Sequence, residues 1–366
     1  MTKWKEYKLA DIAEIKYGKA HQSLADGNIP TYGSGGLMRY VEKALYDDES
    51  ILIPRKGTLN NIIYKNEPFW TVDTMFWTKL DKKKAFPKFL FYQLTTIDFA
   101  NMNVGSAVPS MTVSVLNDLD ILLPPLPEQK AIASVLSSLD DKIDLLHRQN
   151  KTLEQMAETL FRQWFIEGIK EDWEETCLLD AIILIGGGTP KTEIADFWNG
   201  SIKWLSGGDI ASNHKSFIST SEKFITESGL NNSSAKLLPK FSTIITARGT
   251  VGKYCLLSES MTFSQSNYGI VPKFNNCYFF TYLLIAHSVD ELLSAAYGSV
   301  FDTITTATFK EIKINLPKID EINKFESAIK PYFNKMLNNQ TQIRNLSQLR
   351  DTLLPKLMSG EVRVEV

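Results

Sequence analysis

The stretch Leu123-Pro124-Pro125-Leu126-Pro127-Glu128-Gln129-Lys130-Ala131-Ile132-Ala133 marks the point where one kind of sequence gives way to another. Before it, short β-branched and aromatic runs such as Ser50-Ile51-Leu52-Ile53-Pro54 alternate with Gly, Asn and Ser clusters, the pattern of strands joined by long loops. After it, apolar residues fall at Ile132, Leu136, Leu139, Ile143, Leu146, Leu153, Ala157, Leu160 and Trp164, and Asn150 completes an alternating four-three spacing. That is a heptad seam, and from Ile132 to Trp164 the helix would run about 48 Å. The prolines suit a helix start, and Glu128 in the first turn suits the dipole.

The same sentence is written twice. Leu316-Pro317, with Asp320 and Glu321 behind it, repeats the break. A second seam follows at Phe325, Ile329, Tyr332, Met336, Asn339, Ile343, Leu346, Arg350 and Leu353. Upstream, Gly57-Thr58-Leu59 is matched by Gly249-Thr250-Val251 at an offset of 192, and Thr71–Phe76 by Phe263–Tyr268 at the same offset. Gly105-Ser106 falls on Gly298-Ser299 at an offset of 193. At the front, Trp4, Leu9, Asp11 and Gly18 fall on Trp173, Leu178, Asp180 and Gly187 at an offset of 169, so the second copy holds about 24 extra residues before its Gly-Thr motif. The predicted architecture is two α+β modules, 1–126 and 168–319, each followed by a long helix, 127–167 and 320–366. A helix of this length needs a partner for its stripe, and its twin is the obvious one. An antiparallel register in which paired numbers sum to 489 sets Asn150 against Asn339, Ala157 against Tyr332, Leu146 against Ile343 and Leu139 against Arg350. A polar seam residue can fix register at a cost in stability, so the Asn pair is a register-lock candidate; the plainer alternative is two amides facing solvent. Pro355 is expected to end or kink the second helix near Leu354.

The chain has 366 residues, 40 Lys+Arg and 42 Asp+Glu, room for two cores and no overall basic excess. No apolar run approaches the roughly 18 residues of a membrane span. The charged start, Met1-Thr2-Lys3-Trp4-Lys5-Glu6, lacks a signal core, and the three cysteines make neither a disulfide framework nor a metal knuckle. The expectation is a reduced, cytoplasmic protein without membrane contact. Catalytic signatures are missing. The four histidines are scattered; Gly249-Thr250-Val251-Gly252-Lys253 is not a phosphate loop; Gly186-Gly187-Gly188 lacks dinucleotide spacing. Asp81-x-Lys83 and Asp140-x-Lys142 mimic half of a nuclease motif, but the chain has no Pro-Asp dipeptide and both acids read as solvated surface charges. No catalytic residue and no metal ligand is therefore assigned.

The proline break, the Glu128–Ala133 opening and the heptad helix resemble the specificity subunit of type I restriction–modification enzymes. So do Trp204-Leu205-Ser206-Gly207-Gly208-Asp209-Ile210, Thr246-Ala247-Arg248-Gly249-Thr250-Val251-Gly252 and the tail Leu353-Leu354-Pro355-Lys356-Leu357-Met358-Ser359-Gly360-Glu361-Val362. The first copy departs from the pattern with Ile29-Pro30-Thr31-Tyr32-Gly33-Ser34-Gly35-Gly36 and Arg55-Lys56-Gly57-Thr58, which implies that the modules read different sequences. The resemblance implies two target recognition domains joined by an antiparallel coiled coil. Each would read half of a split site in double-stranded DNA, and the coil would set the unread spacer. It also implies partners: two modification subunits carrying S-adenosylmethionine, and restriction subunits using ATP and Mg. The chain itself would be non-catalytic. The rival reading is a coiled-coil adaptor whose two modules bind ligands other than DNA.

Phosphates are held by cations, amides and hydroxyls, whereas base edges are read by Arg or Lys on guanine and Asn or Gln on adenine. The basic-Gly-Thr turns fit the first role: Arg55, Lys56, Gly57 and Thr58 in one copy, Arg248, Gly249, Thr250 and Lys253 in the other. Each could equally be a strand-end turn with a solvated cation. Gln265 and Asn267 are candidates for adenine reading, with Asn60 and Asn61 as the matching guess in the first copy; Ser266 beside them and Thr74 in the first copy are further DNA-contact candidates, and local turn bonding is the alternative. Ser106 and Ser299 are candidate phosphate contacts or turn caps. The loop Asp209–Ser216, with Asn213, His214 and Lys215, either reads bases or is unstructured. Phe161, Trp164 and Phe165 are candidates for partner docking, or else close the local core. Charge supports the turns locally: residues 50–66 hold Arg55, Lys56 and Lys65 without an acid, and Ser228–Ser258 holds Lys236, Lys240, Arg248 and Lys253 without one.

Overall fold

The computed structural model describes residues 4–105, 108–274, 276–297 and 303–365. By packing, the chain divides into two compact units: Met1–Asp144 with Arg344–Val366, and Leu145–Ile343.

Unit 1 opens with β1 (Lys5–Lys8), β2 (Ala13–Tyr17), β3 (Ile29–Gly33), β4 (Gly36–Val41), β5 (Ser50–Pro54), β6 (Ile63–Lys65), β7 (Trp70–Thr71) and β8 (Met75–Leu80). Then come α1 (Pro87–Thr95), α2 (Val113–Asn117), β9 (Asp120–Leu123) and the start of α3 (Leu126–Phe165). The strands form a sheet ordered β2-β8-β5-β6, a smaller one ordered β4-β3-β7, and the pair β1-β9. The fully buried β5 is the spine of the larger sheet, because both its faces meet apolar side chains. Ile51, Ile53 and Phe76 share a core with Phe89 and Leu90 of α1 and with Ile132 and Leu136 of α3.

Unit 2 runs through β10 (Glu174–Cys177), β11 (Ile182–Gly186), β12 (Trp198–Leu205), α4 (Gly207–Ser212), β13 (Phe217–Ile218), β14 (Lys223–Ile225), α5 (Glu227–Asn231), β15 (Thr243–Thr246), β16 (Tyr254–Leu257), β17 (Thr262–Phe263) and β18 (Asn267–Pro272). It continues with α6 (Tyr278–Tyr297), α7 (Thr306–Glu311), β19 (Lys313–Leu316) and α8 (Ile319–Ser359), whose last part belongs to unit 1. Its sheets are ordered β11-β18-β15-β16-β13, β14-β12-β17 and β10-β19. Each order repeats one of unit 1, with β13 as an added edge. The extra residues form α4, β13 and α5.

The duplication holds at the level of single hydrogen bonds. Leu9 N–H donates to the Leu119 carbonyl at 2.9 Å, and Leu178 to Ile312 at 2.9 Å. Arg55 donates to Thr74 and Ala247 to Ser266, at 2.8 and 3.0 Å. Met111 donates to Arg55 and Ile304 to Ala247, at 2.9 and 3.1 Å. Gly18 and Gly187 are glycine for one shared reason: a Cβ would lie 2.0 Å from the Val72 carbonyl oxygen in one copy and 2.1 Å from that of Ser264 in the other.

The long helices pair antiparallel. In unit 2, Phe165 meets Phe325 (centroids 4.8 Å apart) and Asn339 donates to Asn150 Oδ1 at 2.9 Å. In unit 1, Arg350 donates to Asp140 at 2.9 Å, and Ile132 shares a core with Leu357 and Met358. Each helix also caps a shorter one. Gln129 Oε1 accepts from Phe86 N–H at 2.7 Å, at the start of α1. Glu326 accepts from the N–H groups of Phe279 and Phe280 at the start of α6, at 3.2 and 2.8 Å.

Two expectations are corrected. Pro355 does not end the helix, since α8 continues to Ser359. Leu353 and Leu354 before it and Leu357 and Met358 after it pack on the unit 1 core, which outweighs the lost backbone bond. Asp140 is not a solvated charge either: besides Arg350, it accepts from the Tyr92 hydroxyl at 2.7 Å. No helix among the described residues is long and apolar enough to cross a membrane.

Candidate nucleic-acid interface

In unit 1 the chain leaves β5 through Arg55–Thr58. Gly57 has φ +88°, the left-handed region, and its N–H donates to the Pro109 carbonyl at 3.0 Å. The Thr74 carbonyl accepts from Arg55 and Lys56 N–H at 2.8 and 3.2 Å, so Thr74, just before β8, braces the turn. The Arg55 guanidinium donates to the Asp73 carbonyl at 3.2 Å and lies 5.3 Å from the Tyr17 ring centroid. Lys56 and Thr58 are exposed. Asn61 donates to the Ser34 carbonyl at 2.8 Å, tying the turn to the β3–β4 connection. Asn60 points elsewhere: it accepts from Ala100 N–H at 3.0 Å and donates to Asp98 at 3.2 Å. Its amide is engaged in bracing a loop rather than presented to a base.

In unit 2 the equivalent segment is a closed hoop. Thr246 Oγ1 donates to the Thr250 carbonyl and accepts from Lys253 N–H, and Gly252 N–H donates to the Thr246 carbonyl at 2.9 Å. Gly249 and Gly252 have φ +79° and +80°. The hoop lifts Arg248, Gly249 and Thr250 into solvent and leaves Lys253 half-exposed at its base. A Cβ on Gly249 would meet nothing within 4 Å, so its backbone stands open to a ligand.

Gln265 is exposed, and its carbonyl oxygen accepts from the Thr189 hydroxyl, which leaves the amide N–H groups outward. Ser266 is half-buried, its carbonyl engaged by Ala247. Asn267 is corrected: it is 1% exposed and donates to Ser264 Oγ at 2.7 Å. Its twin Met75 is 0% exposed, so this position faces the interior in both copies and cannot reach a base edge. Ser106 and Ser299 lie outside the described residues. The loop after Ser206 is ordered: Ser206 and Asp209 cap α4 reciprocally, and His214 Nδ1 accepts from Tyr254 N–H at 3.2 Å. Burial pushes the His214 pKa down.

Phe161 and Phe165 are corrected as docking candidates. They are 4% and 5% exposed, and Phe165 sits 5.1 Å from Phe280 between ring centroids, so both close the unit 2 core. Trp164, 39% exposed, is the one of the three that a partner can meet. The seam amides Asn150 and Asn339 are in contact, as described above, and Asn150 also donates to the Met336 carbonyl at 3.3 Å. Sequence reasoning passed over Tyr17, Ser34 and Thr189. Nothing in their local sequence marks them; only the convergence of separate loops does.

A doubled α+β module with equivalent exposed basic turns and two antiparallel helices defines a class, and the comparisons place the chain in it. The family model described as "Type I restriction modification DNA specificity domain" matches residues 1–155 and again 170–348; the chain belongs to this family. It is similar to the type I restriction enzyme MjaIX specificity subunit of Methanocaldococcus jannaschii, with 27% identity across 99% of this chain and 94% of that one. It is also similar to the type I restriction enzyme HindI specificity subunit of Haemophilus influenzae, with 23% identity across 99% and 100%. Its fold is that of the crystal structure of a type I restriction–modification S subunit from M. genitalium, with a TM-score of 0.69 at 15% identity, covering 99% and 96% of the two chains.

Proposed function

We propose that this chain is the address subunit of a type I restriction–modification complex. Each unit reads one half of a bipartite target in double-stranded DNA. The two long helices set the unread spacer and offer docking surface to modification subunits. The carrying observation is the pair of equivalent turns, Lys56-Gly57-Thr58 and Arg248-Gly249-Thr250. They hang on matching backbone bonds, both expose a cation and a hydroxyl beside a glycine, and in unit 2 the Gly249 backbone is open as well. These are the groups that hold phosphates. Around them, Gln265 with its outward amide and the half-exposed Asn61 supply candidate base contacts. The chain specifies and does not catalyse. Modification subunits with S-adenosylmethionine transfer the methyl group, and restriction subunits, where present, use ATP and Mg.

The test is fluorescence anisotropy on labelled duplexes, with the chain assembled with its modification partner, across a salt series. Binding should be sequence-selective, and its log affinity should fall linearly with log salt. Binding without selectivity or without salt dependence would support the adaptor reading instead.

A further inference from the structure

Unit 1 exposes apolar side chains where a strand edge ordinarily carries charge. Among the described residues β4 pairs only with β3, yet its Leu37, Met38 and Tyr40 are 51%, 55% and 50% exposed. A bulge is the cause. Thr31 stands opposite Arg39 and Tyr32 opposite Leu37, so Met38 is an extra residue. Gly33 pairs with Gly36, which leaves a two-residue tip, Ser34-Gly35. The one charge on β4 is turned away: Arg39 donates to the Leu24 carbonyl at 3.0 Å and to Asp26 at 2.8 Å. The start of β4, beside the tip, therefore presents Leu37 and Met38 to solvent, and clustered exposed apolar groups mark a binding surface.

The neighbouring charge says what binds. Ser34 Oγ lies 2.9 Å from where a Gly57 Cβ would be, and the Ser34 carbonyl holds Asn61, so the hairpin tip touches the Lys56–Thr58 turn. Met38 Sδ lies over Gly33, and the Val72 side chain reaches the same point. The next residue, Asp73, holds Arg55 over Tyr17. An apolar tip flanked by Arg55 and Lys56 fits a polyanion that has apolar groups recessed in a groove. Duplex DNA is that ligand. Its major groove admits a two-stranded β-ribbon, and its one apolar feature there is the thymine methyl.

We propose that the β3–β4 hairpin is the base-reading element of unit 1 and enters the major groove with Leu37 and Met38 against thymine methyl groups. This rests on the DNA reading proposed above. It is confined to unit 1, because after β12 the chain of unit 2 turns into α4 instead of a hairpin.

The experiment uses the full chain with its modification partner and a target defined by methylation sequencing. Exchange of residues 1–126 identifies the half read by unit 1. Thymines of that half are replaced by uracil, which removes the methyl group alone; the same replacement in the other half is the control. Wild-type complex should lose about fourfold in affinity for each contacted methyl. The L37A/M38A complex should bind thymine and uracil duplexes alike while still selecting the other half-site, which shows that it is folded. The proposal is overturned if that half contains no thymine, if wild-type complex does not distinguish uracil, or if L37A/M38A keeps the distinction. Loss of all sequence selectivity by the wild-type complex would instead overturn the DNA reading, and this inference with it.

Discussion

Glu154 makes the stability of unit 2 depend on pH in an unusual direction. It lies on α3, with Oε1 buried and, among the described residues, without a hydrogen-bond partner. Burial, with the Glu158 carboxylate adding to it and Lys215 opposing, raises its pKa from the ordinary 4.5 to about 7. Between these values the folded chain holds a proton that the unfolded chain has released. The associated stability is thus complete below about pH 4.5 and is lost as pH rises through 7. At about 1.36 kcal/mol per pKa unit the gap is about 3 kcal/mol, reduced to about 2 kcal/mol because part of the side chain still meets water. Glu154→Gln keeps the shape and removes the charge. Its gain over wild type should be small at pH 4.5 and about 2 kcal/mol at pH 8, about 4–8 °C in Tm for a unit of this size. Calorimetry of both proteins at pH 4.5, 6, 7 and 8 measures this. A stability difference that does not change with pH would refute the reasoning.

Other consequences are open to direct measurement. Lys56→Ala and Arg248→Ala should each flatten the log affinity–log salt slope by about 0.9 in the assembled complex; an unchanged slope would remove that residue from the phosphate contacts. Asn339 is fully buried with Oδ1 unpartnered among the described residues, so Asn150→Leu/Asn339→Leu together should stabilise unit 2 by about 1–2 kcal/mol in urea titrations. Either single change should destabilise it, and strictly additive effects would contradict a coupled pair. Gly18→Ala and Gly187→Ala should each destabilise their own unit by about 2 kcal/mol or more, read by limited proteolysis of each unit, because the added carbon meets a backbone carbonyl.

The sequence exposed what repeats and hid what depends on a single contact. Offsets of 169, 192 and 193 anticipate the bonds from Leu9 and Leu178, and those from Arg55 and Ala247, since backbone pairing follows alignment. The heptad spacing likewise anticipates the layer shared by Asn150 and Asn339. As a helix end Pro355 misled, because helix propensity is local, whereas Leu357 and Met358 are held by a core built from distant residues. Asn267 misled because polar identity was weighed above position; its alignment with Met75 already pointed inward. Phe161 and Phe165 lie beside the seam, and heptad spacing does not say which neighbours a module supplies. The exposed face of β4 follows from a one-residue bulge opposite Thr31 and Tyr32, and Gly36-Leu37-Met38-Arg39-Tyr40-Val41 carries no sign of it.

The central claim is that two separate units of one chain address two halves of one DNA site. Sequencing adenine methylation across a genome whose cells carry this chain and its modification partner tests it most directly. The account predicts a split motif with an unread gap, and an exchange of residues 1–126 that alters one half and leaves the other. A continuous motif, or an exchange that alters both halves or neither, would contradict it.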